Sequence, residues 1–134
     1  MDAVSIDKMT VGAGRLVCEV HLAPGVPRDT WPDLIRALLS GFPHLPQHAC
    51  VNENGQLFGD AMDRTPLPHL LEHLAIDLQT RRCGRDDVMF VGTTDWIDEQ
   101  KGTARIQMSF TDDLMALRSF QDAVKALNGL IVLP

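Results

Sequence analysis

The chain has 134 residues, of which 45% are hydrophobic and 22% are charged, values typical of one compact domain with a substantial core. Its formal net charge of −6 disfavours nucleic acid as a partner, because such a domain repels phosphate backbones. No apolar run approaches the roughly 20 residues of a transmembrane helix, and the N-terminus lacks the features of a signal peptide. We therefore expect a single domain over residues 1–134 that is cytoplasmic and has no membrane partner.

The first half of the chain alternates between strand and helix patterns. Residues 4–8 and 15–22, joined by a glycine-rich VGAG turn, predict a β-hairpin. Apolar residues at helical spacing predict a helix up to Leu39, with Asp29 or Thr30 as its N-cap. The Asn54-Gly55 pair, between two short apolar pieces, predicts a second hairpin.

The second half begins with the helix LPHLLEHLAIDLQTR, for which Thr65 is the predicted N-cap and Gly84 the predicted end. Residues 87–92 and 104–110 are strand candidates, followed by a helix that Thr111 or Asp112 opens and Asn128-Gly129 ends. The closing LIVLP is a candidate for one more strand. Together these elements predict an α+β two-layer sandwich, with three main helices packed on a mixed or antiparallel sheet that contains hairpins.

The helix over residues 67–81 carries the motif H-x-x-E-H, formed by His69, Glu72 and His73. At about 100° per residue, the two histidines lie nearly opposite an apolar arc that must face the sheet. The arc consists of Leu67, Leu70, Leu71, Leu74 and Leu78.

Two interpretations of the histidines remain open at this stage. They are either solvated residues on an exposed helix surface or metal ligands that face a cleft. Histidines at positions i and i+4 can place two nitrogen atoms on one ion, and a glutamate just before the second histidine can act as a general base. Ile76 beside them favours a partly covered surface.

From about Phe42 to the last helix, the sequence resembles the N-terminal domain of cyanophycin synthetases, which build a peptide polymer from aspartate and arginine. LPQHAC (Leu45 to Cys50) is similar to the family's L-x-x-H-x-C segment, and a glycine-bearing hairpin follows it. HLLEHLAIDLQ (His69 to Gln79) is similar to H-V-x-E-H-x-A-x-E-L-Q. FVGTTDW (Phe90 to Trp96) matches a family strand with a glycine and a threonine.

The resemblance implies an α+β domain that handles the polymer and, in some members, a zinc-dependent peptidase-like site. Transferred to this sequence, it makes His69 and His73 zinc ligands and Glu72 the catalytic base. It also places His48 and Cys50 at the same pocket, and we predict His48 as the third ligand. The remaining candidates for that ligand are Cys50, Asp77, Asp112 and Asp113.

Two departures from the family narrow the expected function. The synthetases carry an ATP-grasp module and a Mur-ligase-like module after this domain, and this sequence has neither, so we expect a stand-alone domain without ligase activity. The family tends to place a glutamate on the strand that corresponds to ARIQMSF, where this chain offers only Gln107 and Ser109.

Two hypotheses follow from the sequence. In the first, the domain is a zinc-dependent hydrolase that acts on a peptide or amide bond of a peptide-like polymer. In the second, it is a non-catalytic binding or accessory module that docks a polymer or a separately encoded ligase.

Overall fold

The computed structural model describes residues 1–133, which form six β-strands and three α-helices. Two short 3₁₀ helices, Leu45–Gln47 and Phe58–Asp60, flank the smaller of two β-hairpins. In chain order the main elements are β1 (Val4–Val11), β2 (Arg15–Leu22), α1 (Pro32–Leu39), β3 (Ala49–Asn52), β4 (Gly55–Leu57), α2 (Leu67–Cys83), β5 (Gly92–Asp98), β6 (Thr103–Ser109) and α3 (Asp113–Leu130).

The main sheet has four antiparallel strands in the order β1-β2-β6-β5, and one of its faces is buried under helices. Helix α3 packs over β1 and β2, and α2 packs over β5 and β6. Buried residues alternate along β2 and pair across to buried residues of β6, for example Cys18 with Ile106 and Val20 with Ala104. The predicted α+β fold with three main helices is confirmed, and its sheet is antiparallel.

Both predicted hairpins are present. The first extends further than expected, since β1 continues to Val11 before the chain turns. The second turns at Glu53 and Asn54, and Asn52 pairs with Gly55. A Cβ atom at Gly55 would overlap the Asp60 carboxylate, so a larger residue at this position would displace the Asp60 side chain.

Three of the six predicted helix ends agree with the structure, and the first of these is the end of α1 at Leu39. Helix α2 is followed by Gly84 in the left-handed conformation (φ 65°), and the Asp112 side chain caps α3 by accepting a hydrogen bond from the Met115 amide. The predicted caps of α1 and α2 were wrong. The Thr30 hydroxyl instead donates to Met62 O and accepts from the Thr65 amide, so both threonines tie the two helix entries together.

The predicted strand over residues 87–92 is wrong, because β5 starts only at Gly92. Residues 87–91 form an irregular segment in which Met89 and Val91 are exposed and Phe90 is buried. The acidic stretch that follows, GTTDWID, instead pairs with β6 from Gly92 to Asp98. Its threonine, tryptophan and isoleucine side chains suit a half-buried edge strand, and the resemblance of Phe90 to Trp96 to a family strand agrees with this position in part.

The prediction of a closing strand is also wrong. Helix α3 continues through Asn128-Gly129 to Leu130, and residues 131–133 have no regular structure, while Pro134 lies outside the described residues. Asn128 does not end the helix because its side chain bonds both the amide and the carbonyl of Val4. This contact joins α3 to the first strand.

Within residues 1–133, none of the helices combines the length and the apolar character that crossing a lipid bilayer requires.

Candidate metal centre

Helix α2 is buried on two opposite sides. Its apolar arc packs into the core, where four of the five leucines are completely buried and Leu78 is half-buried. The side that carries the H-x-x-E-H motif is covered as well, with Glu72 and His73 each only 4% exposed and His69 half-buried. The 3₁₀ helices and the β3–β4 hairpin provide this second cover, so the histidines do not lie on a solvated helix surface.

Phe58, which is completely buried, holds both imidazole rings of the motif. Its ring stacks on that of His73 with 4.0 Å between centroids and an interplanar angle of 17°, and it meets the His69 ring edge-on at 5.2 Å. Aromatic contacts of this kind restrict ring orientation in addition to burying apolar area. No sequence pattern signals this role, because the contact depends on how the segment after the hairpin packs against α2.

Three potential metal ligands converge beside Phe58. The His69 and His73 Nε2 atoms are 3.2 Å apart, and Cys50 Sγ is 3.6 Å from His69 Nε2. The ligand atoms of these three residues all lie within 4.8 Å of one another. On a tetrahedral zinc ion, two nitrogen ligands would be about 3.3 Å apart, and a nitrogen and a sulfur about 3.6 Å. The donor set therefore fits zinc in chemistry and spacing.

Burial keeps these groups in uncharged forms while no metal is bound. It lowers the pKa of His73 to about 3, and it also lowers the pKa of His69. Burial raises the pKa of the Cys50 thiol, as does the charge of Glu72, against a hydrogen bond from Asn52. Neutral imidazoles bind metal directly, whereas the thiol must release its proton on binding.

The Glu72 carboxylate lies at the edge of this group. Its Oε1 accepts a 2.6 Å hydrogen bond from the Thr94 hydroxyl, and its Oε2 is 3.9 Å from His73 Nε2. Burial raises the pKa of Glu72, although the hydrogen bond from Thr94 opposes the shift. A carboxylate with a raised pKa is suited to accept and return a proton. The sequence placed Thr94 in a segment that matches a family strand but gave it no role at the site, because its contact with Glu72 depends on how that strand packs against α2.

His48 contacts the far side of His73 rather than the point where the three ligands converge. Its Nδ1 is 3.0 Å from His73 Nδ1, and its Nε2 is 2.9 Å from Asp77 Oδ1. The structure thus brings His48, His69 and His73 together, but Cys50 supplies the third converging atom. His48 and Asp77, both considered as ligands from the sequence, are instead hydrogen-bonded to each other.

A family model for the cyanophycin synthase-like N-terminal domain matches residues 15–132. The chain belongs to this family. The resemblance noted on the residues from Leu45 onward is confirmed, and the match also includes the second strand of the first hairpin. A search of curated proteins finds no match.

In this cyanophycin synthase-like N-terminal domain, the remaining ligand candidates lie elsewhere. Asp112 and Asp113 accept hydrogen bonds from amides of the first turn of α3. The Gln107 side chain bonds Arg15, its neighbour on the adjacent strand. The Ser109 hydroxyl accepts from the Val91 amide. The strand that carries a glutamate in the resembled synthetases therefore supplies no ligand here.

The candidate ligands lie along a cleft of about 1160 Å³ in this domain. Its walls are α2, the β3 segment, residues 86–91 and β5. Two exposed apolar side chains, Met89 at 77% and Val91 at 62% exposure, stand among the lining residues. A cleft of this size, with apolar walls and a few convergent polar groups, is typical of ligand sites.

Proposed function

We propose that this domain binds zinc through Cys50, His69 and His73 and hydrolyses a peptide or amide bond in a peptide-like polymer. The observation that carries the proposal is the convergence of three ligand atoms within 4.8 Å of one another, with a buried carboxylate beside them and an open cleft in front. Thiolate and imidazole donors together favour zinc over magnesium or calcium.

Bound zinc would polarise the scissile carbonyl and lower the pKa of a water molecule to about 7. Glu72 accepts a proton from the attacking water as the water oxygen bonds to the carbonyl carbon. Glu72 then returns that proton to the leaving nitrogen as the carbon–nitrogen bond breaks. Thr94 fixes one carboxylate oxygen of Glu72 and leaves Oε2 free on the side of His73.

We expect a chain-like substrate, a peptide polymer, on the basis of the family and of the cleft. The cleft has a volume of about 1160 Å³, and the exposed apolar side chains of Met89 and Val91 are among its lining residues. These features suit a chain-like substrate better than a small metabolite. We place the activity in the cytoplasm, since Cys18, Cys50 and Cys83 are all free thiols, as expected in a reducing compartment.

The first experiment measures the metal content of purified protein. We expect about one zinc per chain, lost in the His69→Ala, His73→Ala double variant and strongly reduced in Cys50→Ser. His21→Ala is the matched control, because His21 lies on β2 and its side chain pairs with Asp7, away from the cleft. Metal-free wild-type protein that folds normally and takes up no added zinc would contradict the proposal.

The second experiment separates hydrolysis from metal binding. Glu72→Gln should retain zinc and lose cleavage of a peptide polymer of aspartate and arginine, followed by chromatography of the products. The Gln amide can still accept a hydrogen bond from Thr94, so the variant tests the proton acceptor rather than the fold. Equal cleavage by wild type and variant would remove Glu72 from the mechanism.

An alternative function is a non-catalytic module that docks a polymer or a separately encoded ligase. It is favoured by one observation, that Gln107 and Ser109 bond Arg15 and Val91 and offer no carboxylate on the strand where the family tends to place a glutamate. In that case zinc would stabilise the contact between the β3–β4 hairpin and α2 and would have no catalytic role. Wild-type protein that binds zinc, gains thermal stability from it and cleaves no polymer would favour this alternative.

A further inference from the structure

We propose that His48 and Asp77 are positioning residues that fix the tautomer of His73, so that an unprotonated Nε2 atom faces the metal-binding space. The inference deepens the proposed function and rests on it, because an imidazole binds zinc only through a nitrogen atom without a proton. Neither residue would touch the metal or the substrate.

The chain of contacts starts at Asp77, which is 4% exposed. Its Oδ2 accepts a 2.7 Å hydrogen bond from Arg81 Nε, and Arg81 also donates to the Gly41 carbonyl and lies over the Phe42 ring. The Arg81 guanidinium also forms an ion pair with the Asp77 carboxylate, which keeps that group ionised. Asp77 is therefore a fixed carboxylate that can only accept hydrogen bonds.

This carboxylate determines how His48 is protonated. Because Asp77 Oδ1 must accept, the 2.9 Å contact with His48 requires a proton on His48 Nε2. When the proton on Nε2 is the only one that the His48 ring carries, His48 Nδ1 is an acceptor. Its 3.0 Å contact with His73 Nδ1 places the shared proton on His73.

The Nε2 atom of His73 is consequently left with a free lone pair, which points at His69 Nε2 from 3.2 Å. If His48 Nδ1 instead donated a hydrogen bond to His73 Nδ1, the proton of the His73 ring would lie on Nε2, in the space that a metal must occupy. Phe58 stacks on the His73 ring and prevents it from turning over to exchange its two nitrogen atoms.

The arrangement follows from a four-residue spacing along α2. His69, His73, Asp77 and Arg81 form one row on the helix, in which each side chain lies one turn from the next. His48 enters from the β3 segment and bridges the second and third members of the row. The same row therefore contains two candidate ligands and the groups that orient one of them.

The test compares wild type with Asp77→Asn, using two readouts. In ¹⁵N-histidine-labelled, metal-free protein, NMR should find His73 protonated at Nδ1 in wild type and at Nε2 in Asp77→Asn. The side-chain amide of the variant can donate a hydrogen bond to His48, which would reverse the direction of the hydrogen bonds from His48 to His73. Competition with a chromophoric chelator should show a zinc affinity about 10–100-fold weaker in the variant. Asp7→Asn is the control, because Asp7 forms an exposed 2.6 Å pair with His21 and should change neither readout.

Protonation of His73 at Nε2 in wild type, or an unchanged tautomer and affinity in Asp77→Asn, would overturn the inference. If Asp77→Asn does not fold, His48→Gln and His48→Leu decide the question. The amide oxygen of Gln can accept from His73 Nδ1, so Gln should retain zinc affinity that Leu loses, and equal affinities would overturn the inference. If the wild-type protein has the expected tautomer but binds no zinc, the proposed function is wrong, whereas the positioning of His73 by His48 and Asp77 still holds.

Discussion

The two sides of α2 are both buried but are built from different chemistry. The core side consists of leucines, whose burial stabilises the fold in proportion to the apolar area removed from water. The opposite side buries imidazoles, a glutamate and an aspartate, and burying such groups gives little net stability even when they are hydrogen-bonded. The comparison assigns the stability of the domain mainly to the leucine side, whereas the polar side carries the groups of the proposed metal site.

The largest expected effect comes from breaking the leucine side. Leu71 is completely buried, so Leu71→Ala should lower the free energy of unfolding by about 3 kcal/mol through lost burial and a residual cavity. In metal-free protein, His69→Ala should cost only about 1 kcal/mol, because His69 is half-buried and loses its hydrogen bond to Thr65. Urea denaturation of both variants measures the difference.

Added zinc should reverse the ranking of the two variants. Zinc at 100 times its dissociation constant stabilises a protein by about 2.7 kcal/mol when it binds only the folded state. Wild type and Leu71→Ala should both gain this increment, and His69→Ala should gain almost none. Similar gains in all three proteins would place the ion elsewhere in the chain.

The two sides also differ in how well sequence reasoning found them. The leucine arc was predicted because its spacing follows the helix period, which any single sequence displays. The H-x-x-E-H residues were found from their motif, but their cover was not, since Phe58 and Thr94 approach α2 from elements outside the helix. Choosing between Cys50 and His48 required knowing how β3 lies against α2, which depends on tertiary packing rather than on local pattern.

The same distinction explains the misplaced fifth strand. Residues 87–91 contain an apolar run, which is typical of a buried strand, yet Met89 and Val91 remain exposed beside the cleft. The pairing partner β6 selects Gly92–Asp98 instead. Apolar residues at the edge of a binding cleft give the same local signal as apolar residues in a core.

A smaller effect is expected where β5 approaches the polar side of α2. A Cβ atom at Gly92 would lie 2.7 Å from the Gln107 carbonyl and 3.1 Å from Glu72 Cγ and Cδ. Gly92→Ala should therefore destabilise the domain by about 1–3 kcal/mol through overpacking and should displace Glu72. Thermal unfolding and polymer cleavage measure the two consequences.

Gly129→Ala is the matched control for this prediction. Gly129 lies in α3, and a Cβ atom there would have open space around it to 4 Å, so alanine should leave stability unchanged or raise it by up to about 1 kcal/mol. Equal stability of the two variants would mean that the contact between β5 and Glu72 is loose.

The smallest expected effect concerns Cys18, which lies in the apolar core, whereas Cys50 lines the cleft. Burial raises the pKa of the Cys18 thiol from 9.0 to about 12. Between these values the folded protein keeps a proton that the unfolded chain releases, so stability falls as pH rises. The loss should reach about 1 kcal/mol at pH 10.

Cys18→Val should remove this part of the pH dependence, measured by denaturant unfolding of metal-free protein at pH 8 and pH 10. Parallel pH curves for wild type and variant would show that the thiol ionises as easily in the folded core as in the unfolded chain.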